Sequence, residues 1–447
     1  MDFSTTRNAC KLCTPLGACL AFRGVEGAMP FLHGSQGCAT YIRRYVISHF
    51  REPIDIASSS FNEASAVFGG GENLNRALDN VRRQYRPQLI GIATTCLSET
   101  IGEDVPGLLR EYRKARDGQE LPELVHVSTP SYRETHSAGF HNTVRALVET
   151  LAVKPGEPSG RVVLLPGMVS PSDLRYLKEI LSDFGLPLTL LPDYSNTLDA
   201  PLWKEYHSLP EGGTPVEDIR RAGGAAAAIQ FGHALATRRA AADVLSERFG
   251  TPLFKQGWPV GMRATDRFFQ TLEQLSGRPT PEAHARERGR LMDALVDGHK
   301  YVFGLRAALY GEDDLVLALA EFCAEIGIEP VLCASGGKEG HLKKWLHETT
   351  GDATAQARVL EGADFAEISA AVSELNPDLL IGHSKGFTSA RAAGAPLIRV
   401  GFPIHDRFGA QRIRHLGYRG AQELFDRIVN TVLERRQEAS EIGYSYQ

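Results

Sequence analysis

The chain has 447 residues, 54 acidic and 49 basic, for a net charge of −5 with no long run of one sign. That balance argues against a phosphate-backbone partner such as nucleic acid. With 43% apolar and 23% charged residues and no apolar run of the ~18–20 residues a bilayer span needs, the composition is that of a compact soluble protein.

The opening MDFSTTRNACKLC lacks the basic-then-apolar pattern of a signal peptide, so a cytoplasmic location is expected. In that compartment the seven cysteines point to metal binding or burial rather than to disulfides, and five of them (10, 13, 19, 38 and 96) fall in the first hundred residues. Cys13, Cys38 and Cys96 each lie in a loop-like, Gly- or Thr-flanked setting: Leu12-Cys-Thr-Pro15, Gly34-Ser-Gln-Gly-Cys38 and Thr94-Thr-Cys-Leu97. Cys19, Cys323 and Cys333 sit in or beside apolar stretches and read as core thiols.

Further along, short β-branched runs alternate with amphipathic stretches, the pattern of parallel α/β units. A helix over Asn73–Tyr85 is followed by strands at Gln88–Thr94 and Glu123–Ser128 and by a helix at Gly139–Leu151. The turn formers of Ala152–Gly160 mark a boundary before a strand at Arg161–Leu165. The second block continues with a helix at Ser172–Phe184, a strand at Leu186–Leu191, the small-residue stretch Gly223–Gln230, a strand at Pro252–Gln256 and a mainly helical Thr265–Asp297. The third is expected to start with a strand at Tyr301–Leu305, then a helix near Asp313–Ile326, strands at Glu329–Ala334, Asp378–Gly382 and Pro396–Val400, and a last helix at Ala421–Arg436. The expected architecture is an N-terminal segment, 1–23, and three Rossmann-like α/β domains at 24–158, 159–298 and 299–447, each a parallel sheet flanked by helices.

Neither Gly69-Gly-Gly-Glu-Asn-Leu74 nor Gly336-Gly-Lys-Glu-Gly340 matches a phosphate-binding fingerprint, so any ATP is expected on another protein. Three candidate thiolates are one short of an ordinary four-thiolate iron–sulfur site. That shortfall invites a ligand from a second chain. A zinc knuckle built on Cys10 and Cys13 is the alternative, but no second CxxC or CxxH follows at finger spacing.

Taken together, these segments resemble the β-type (K-type) subunits of the nitrogenase component 1 family. The likeness is densest at Cys13-Thr-Pro-Leu-Gly-Ala18, Pro30–Cys38, His49-Phe-Arg-Glu-Pro53, Ala66-Val-Phe-Gly-Gly70, Thr94–Asp104 and Thr129-Pro-Ser131, with weaker echoes at Trp258–Asp266, Leu380–Ser384 and Pro396–Pro403. The resemblance implies that Cys13, Cys38 and Cys96 bind an 8Fe-7S P-type cluster shared with an α-type (D-type) subunit, with Ser131 as an additional ligand on oxidation. The separations of 25, 58 and 35 residues between these four positions match the family's. Cys10 departs from the pattern, as an extra ligand, a neighbour tuning the cluster or a thiol without a role. The resemblance further implies that Val67 and Phe68 form the docking patch for a homodimeric ATP-dependent iron–sulfur reductase, which alone carries MgATP. The complex would hold two copies of each chain, with the iron–sulfur catalytic cofactor on the partner subunit, and no catalytic residue is expected here. His33, Arg43 and Glu99 read as structural or supporting residues, and His383 as a loop residue near the subunit interface. Among family members the opening Cys-Lys-Leu-Cys-Thr-Pro and the short N-terminus most resemble the methylthio-alkane reductases, which reduce organic thioethers. A dinitrogen-reducing β subunit and an N-type cofactor-assembly scaffold are the alternatives.

Overall fold

A computed structural model describes residues 8–443. Residues 1–7 and 444–447, at the outer ends of the expected segments 1–23 and 299–447, lie outside the described residues. Thirteen strands are found among the described residues, and every pairing between them is parallel. The first sheet has the order β2-β1-β3-β4, with β1 at Ala28–His33, β2 at Ala57–Ser58, β3 at Leu89–Thr94 and β4 at Glu123–Val127. The second runs β6-β5-β7-β8, from β5 (Val162–Leu165), β6 (Leu188–Leu190), β7 (Ala227–Phe231) and β8 (Leu253–Gln256). The third is β11-β10-β9-β12-β13, with β9 at Arg306–Gly311, β10 at Glu329–Ser335, β11 at Arg358–Leu360, β12 at Leu379–Gly382 and β13 at Leu397–Arg399. The fold is therefore α/β, as the alternating pattern predicts.

Each order reverses direction once, between β1 and β3, between β5 and β7, and between β9 and β12. At such a switch point the loops leaving the strand C-termini part and open a crevice. The central strands β1 and β3 are buried at every residue, so their information lies in apolar content rather than alternation.

Among the described residues, seven helices fall before position 152. They are α1 (Thr14–Arg23), α2 (Gln36–Phe50), α3 (Glu63–Phe68), α4 (Gly71–Tyr85), α5 (Cys96–Ile101), α6 (Val105–Lys114) and α7 (His136–Leu151). All ten residues of α1 are buried. Its closest partner is α7, and the two touch through glycine: a Cβ on Gly17 would lie 1.8 Å from the His136 carbonyl oxygen, and one on Gly139 would lie 2.0 Å from that of Thr14.

One expected strand is corrected. Residues 301–305 are not β: the helix Glu282–Val302 runs through Tyr301 and Val302, Gly304 takes a left-handed φ of 78°, and the strand starts at Arg306. Tyr301 and Val302 complete the buried stripe of that helix, and this burial overrides their β propensity. The helical stretch 265–297 is two helices, Met262–Ser276 and Glu282–Val302, separated at Gly277 and the prolines Pro279 and Pro281.

The three sheets share one continuous core. At their junction Arg238, from the second block, binds Glu134 of the first at 3.2 Å and also reaches Glu339 of the third. No helix among the described residues is long and apolar enough to cross a membrane.

Candidate metal-cluster site

The four candidate ligands gather at one edge of the first sheet. Cys38 follows β1, Cys96 follows β3 and Ser131 follows β4, so all three leave strand C-termini, the first two on either side of the switch point. Cys13 arrives from the N-terminal segment and is fixed by the α1–α7 packing. The amide of Thr14 donates to the Ser131 hydroxyl at 3.2 Å, placing Ser131 beside the first cysteine. The Thr14 hydroxyl donates to the Glu134 carbonyl at 3.1 Å and secures the same turn.

The loops expected around the three thiols are helix N-termini. Cys13 is the N-cap of α1, Cys38 sits in the first turn of α2, and Cys96 is the first residue of α5. Ser35 caps α2 by accepting from the Gly37 amide at 3.3 Å, and Thr95 precedes α5 with its amide donating to the Ser98 hydroxyl at 3.0 Å. The positive end of a helix dipole thus lies at each of the three cysteines, an arrangement that favours thiolate and other negative charge.

Exposure separates these thiols from the rest. Cys13 is exposed, Cys38 and Cys96 are half-exposed, and Cys10, Cys19, Cys323 and Cys333 are buried. Burial first, then the neighbouring Cys13 and Cys96 sulfurs, pushes the Cys38 thiol above its usual range, so the three sulfurs are close enough to repel one another as thiolates. Cationic iron would relieve that repulsion. Three thiols and a hydroxyl at one open edge are a donor set that fits an iron–sulfur cluster. Leu97 and Tyr132, next in sequence to Cys96 and Ser131, are exposed apolar side chains at the same edge.

Cys10 faces away from this edge. It is buried in the core around β9, β10 and β12, its amide donates to the Ala363 carbonyl at 3.0 Å, and its sulfur lies 3.8 Å from His383 Nε2. Burial drives its thiol far above the ordinary range, which keeps it protonated. With one cysteine of the CxxC inside and the other outside, a zinc knuckle is ruled out. His383 is itself buried and flanked by Tyr310 and Phe365.

Val67 and Phe68, at the end of α3, are 75% and 88% exposed, so they staple no core. Residues that sequence reasoning passed over hold the ligand segments from behind. The Leu12 amide donates to His136 Nδ1 at 3.2 Å, which leaves the ring proton on Nε2 to bind Glu312 at 2.6 Å. Lys385 Nζ reaches the Ala9 carbonyl at 2.7 Å. Nothing local in the sequence marks these residues, because their partners lie 124 to 376 positions away.

Comparison with known proteins agrees with this geometry. Residues 13–433 match the family model described as nitrogenase component 1 type oxidoreductase. The nitrogenase molybdenum-iron protein beta chain of Clostridium pasteurianum is 34% identical over 96% of this chain and 93% of its own length. The vanadium-iron protein beta chain of Trichormus variabilis is 38% identical over 94% and 92%. The nitrogenase iron-molybdenum cofactor biosynthesis protein NifN of Bradyrhizobium diazoefficiens is 34% identical over 96% and 90%. A solved structure, "Nitrogenase Cp1 at pH 6.5", superposes with a TM-score of 0.96 at 33% identity, covering all of this chain and 98% of that one. The chain belongs to the nitrogenase component 1 type oxidoreductases, as a β-type subunit of a nitrogenase-like enzyme.

Proposed function

We propose that Cys13, Cys38, Cys96 and Ser131 hold one half of an interfacial 8Fe-7S P-type cluster, shared with an α-type partner in a complex of two copies of each chain. The observation that carries this reading is the convergence of three thiols from three helix N-termini on one open edge, with the Ser131 hydroxyl beside the first. When bound, the cluster supplies one-electron storage and transfer, from a reductase to an iron–sulfur metallocluster in the partner. The chain's own residues do the rest. The thiolates bind iron, the helix N-termini offset negative charge at sulfur, and the buried β1 and β3 behind them exclude water. The Ser131 oxygen accepts from the Thr14 amide and can exchange that bond for one to iron. Val67 and Phe68 offer an apolar seat to a homodimeric ATP-dependent iron–sulfur reductase, which brings its own MgATP. Included in this reading are a cytoplasmic setting and three domains, 24–158, 159–298 and 299–447, after the ligand-bearing segment 1–23.

For the substrate we infer an organic thioether, reduced by two electrons and two protons to a thiol and a hydrocarbon on the partner subunit. The Cys10-Lys-Leu-Cys-Thr-Pro15 opening supports it. A second reading, a dinitrogen-reducing β subunit or an assembly scaffold, is favoured by the names of the relatives. The test is the anaerobically purified complex, supplied with reductase and MgATP, assayed on dimethyl sulfide and on dinitrogen. Thiol and hydrocarbon from the sulfide support the first reading. Ammonia from dinitrogen supports the second, and no turnover with retained iron supports a scaffold. A colourless complex containing zinc overturns the cluster itself.

A further inference from the structure

The exposed docking helix α3 stands directly over a buried polar chain that leads to two of the ligand-bearing segments. Immediately after α3, the amide of Gly70 donates to Glu103 Oε1 at 2.5 Å. The other oxygen of the same carboxylate lies 3.1 Å from His33 Nε2, with the His33 side chain fully buried and that of Glu103 7% exposed. On the far side of the ring, His33 Nδ1 is 3.1 Å from the Ser59 hydroxyl, which accepts from the Gly34 amide at 2.8 Å. A consistent set of donors runs from Gly34 N–H to Ser59, Ser59 O–H to His33 and His33 Nε2–H to Glu103, and the Gly70 N–H meets the same carboxylate from the other side.

His33 ends β1, and its backbone reaches the second ligand. Its carbonyl accepts from the Thr95 amide at 3.1 Å and from the Ser98 hydroxyl at 2.8 Å, the residue before α5 and a residue within its first turn. Gly34 is seated so closely on Thr95 that a Cβ there would lie 1.9 Å from the Thr95 hydroxyl. One residue further on, Ser35 caps the helix that carries Cys38. The Glu103 carboxylate is thus shared between the end of the docking helix and the single residue that braces both the Cys38 and the Cys96 helix starts.

We propose that Glu103 is a positioning residue that couples the docking helix to the helix N-termini carrying Cys38 and Cys96, so that a reductase seated on Val67 and Phe68 alters the setting of both sulfurs. This rests on the docking and ligand roles given above. A push on α3 moves Gly70, Gly70 moves the carboxylate, and the carboxylate moves His33 and with it the two braces. In a closely packed interior such a displacement is transmitted rather than absorbed.

The experiment uses the iron-loaded complex with its α-type partner, comparing wild type with Glu103→Ala, Glu103→Asp and Phe68→Ala. Hydrogen–deuterium exchange is followed in peptides covering 34–38 and 94–98, with and without the reductase trapped in its nucleotide-bound complex. Wild type should change its exchange in both peptides on docking. Glu103→Ala should keep its iron and bind reductase within about threefold of wild type. It should lose the docking response in both peptides, and its reductase-driven electron transfer should slow by about tenfold while reduction by a small-molecule reductant does not. Glu103→Asp, which keeps the carboxylate, should restore part of the response. A full docking response in Glu103→Ala, or none in wild type, overturns the coupling. If Phe68→Ala leaves reductase affinity unchanged, the docking role falls instead, so the two failures are told apart.

Discussion

The first and third sheets offer the same opportunity and use it in opposite ways. In each, the strand order reverses at a switch point, between β1 and β3 in one and between β9 and β12 in the other. Both crevices are lined by residues able to bind metal: Cys38 and Cys96 in the first, Glu312 and His383 with the incoming Cys10 in the third. The first is left open, with exposed or half-exposed thiols. The third is closed by the N-terminal segment, which lies across it. Phe365 donates its amide to the Asn8 carbonyl at 3.1 Å, Cys10 donates to Ala363, and Lys385 holds the Ala9 carbonyl. A switch point supplies a crevice, but a neighbouring segment decides whether it becomes a site or a core. The single CxxC spans that decision, with Cys10 in the closed crevice and Cys13 at the open edge.

The sharpest way to break the comparison is to remove one thiol from each side. Cys38→Ala should abolish interface iron and reductase-driven activity together, measured by metal analysis of the purified complex. Cys10→Ala should keep the full iron content. Iron lost in both variants would make Cys10 part of the site, and iron lost in neither would move the cluster elsewhere. The next effect acts on the segment that joins the two crevices. Gly17→Ala puts a methyl group 1.8 Å from a backbone carbonyl on the neighbouring helix, which neither helix can avoid without sliding. It should cost about 3 kcal/mol of stability and also loosen Cys13 from Ser131, visible as a lower melting temperature and weaker retention of iron. A smaller effect belongs to Cys10→Ala itself. Loss of one buried sulfur and of its hydrogen bond with the His383 ring should cost about 1–2 kcal/mol by denaturant melting.

Much of the open site was legible in the sequence and almost none of the closed one. The small-residue, loop-like settings of Cys13, Cys38 and Cys96 sufficed to group the three thiols, while Ser131 joined them only through the family resemblance. Their true setting, at helix N-termini, was written in Ser35, Thr95 and Pro15, which are capping or first-turn residues as readily as loop residues. Strand β1 carries Pro30 within it, so it did not stand out as a strand, although all six of its residues are buried. Cys10 was illegible for a different reason. Its environment consists of Ala363 and His383, residues more than 350 positions away, and no periodicity or motif encodes a contact of that separation.

The smallest predicted effect tests why the third crevice is stable when closed around a charge. Glu312 is buried, which alone would raise its pKa, but the hydrogen bond from His136 Nε2 holds it below the ordinary carboxylate range. A carboxylate with a lowered folded pKa contributes stability that is fully present above its unfolded value near 4.5 and is lost as pH falls through the folded value. Glu312→Gln keeps an oxygen able to accept from His136 Nε2 but removes the titration. The variant should therefore melt slightly below wild type at pH 7, and the gap should narrow by about 2 °C at pH 4, where wild type has begun to lose the carboxylate's contribution. A gap that stays constant between the two pH values would mean that His136 holds Glu312 by shape alone. The closed crevice would then be a packed core that happens to contain polar groups. A gap that narrows makes it a buried carboxylate held by a histidine N–H and enclosed by the N-terminal segment, so that the Leu12 amide, fixed by His136, links the charge of the third sheet to the position of Cys13 in the first.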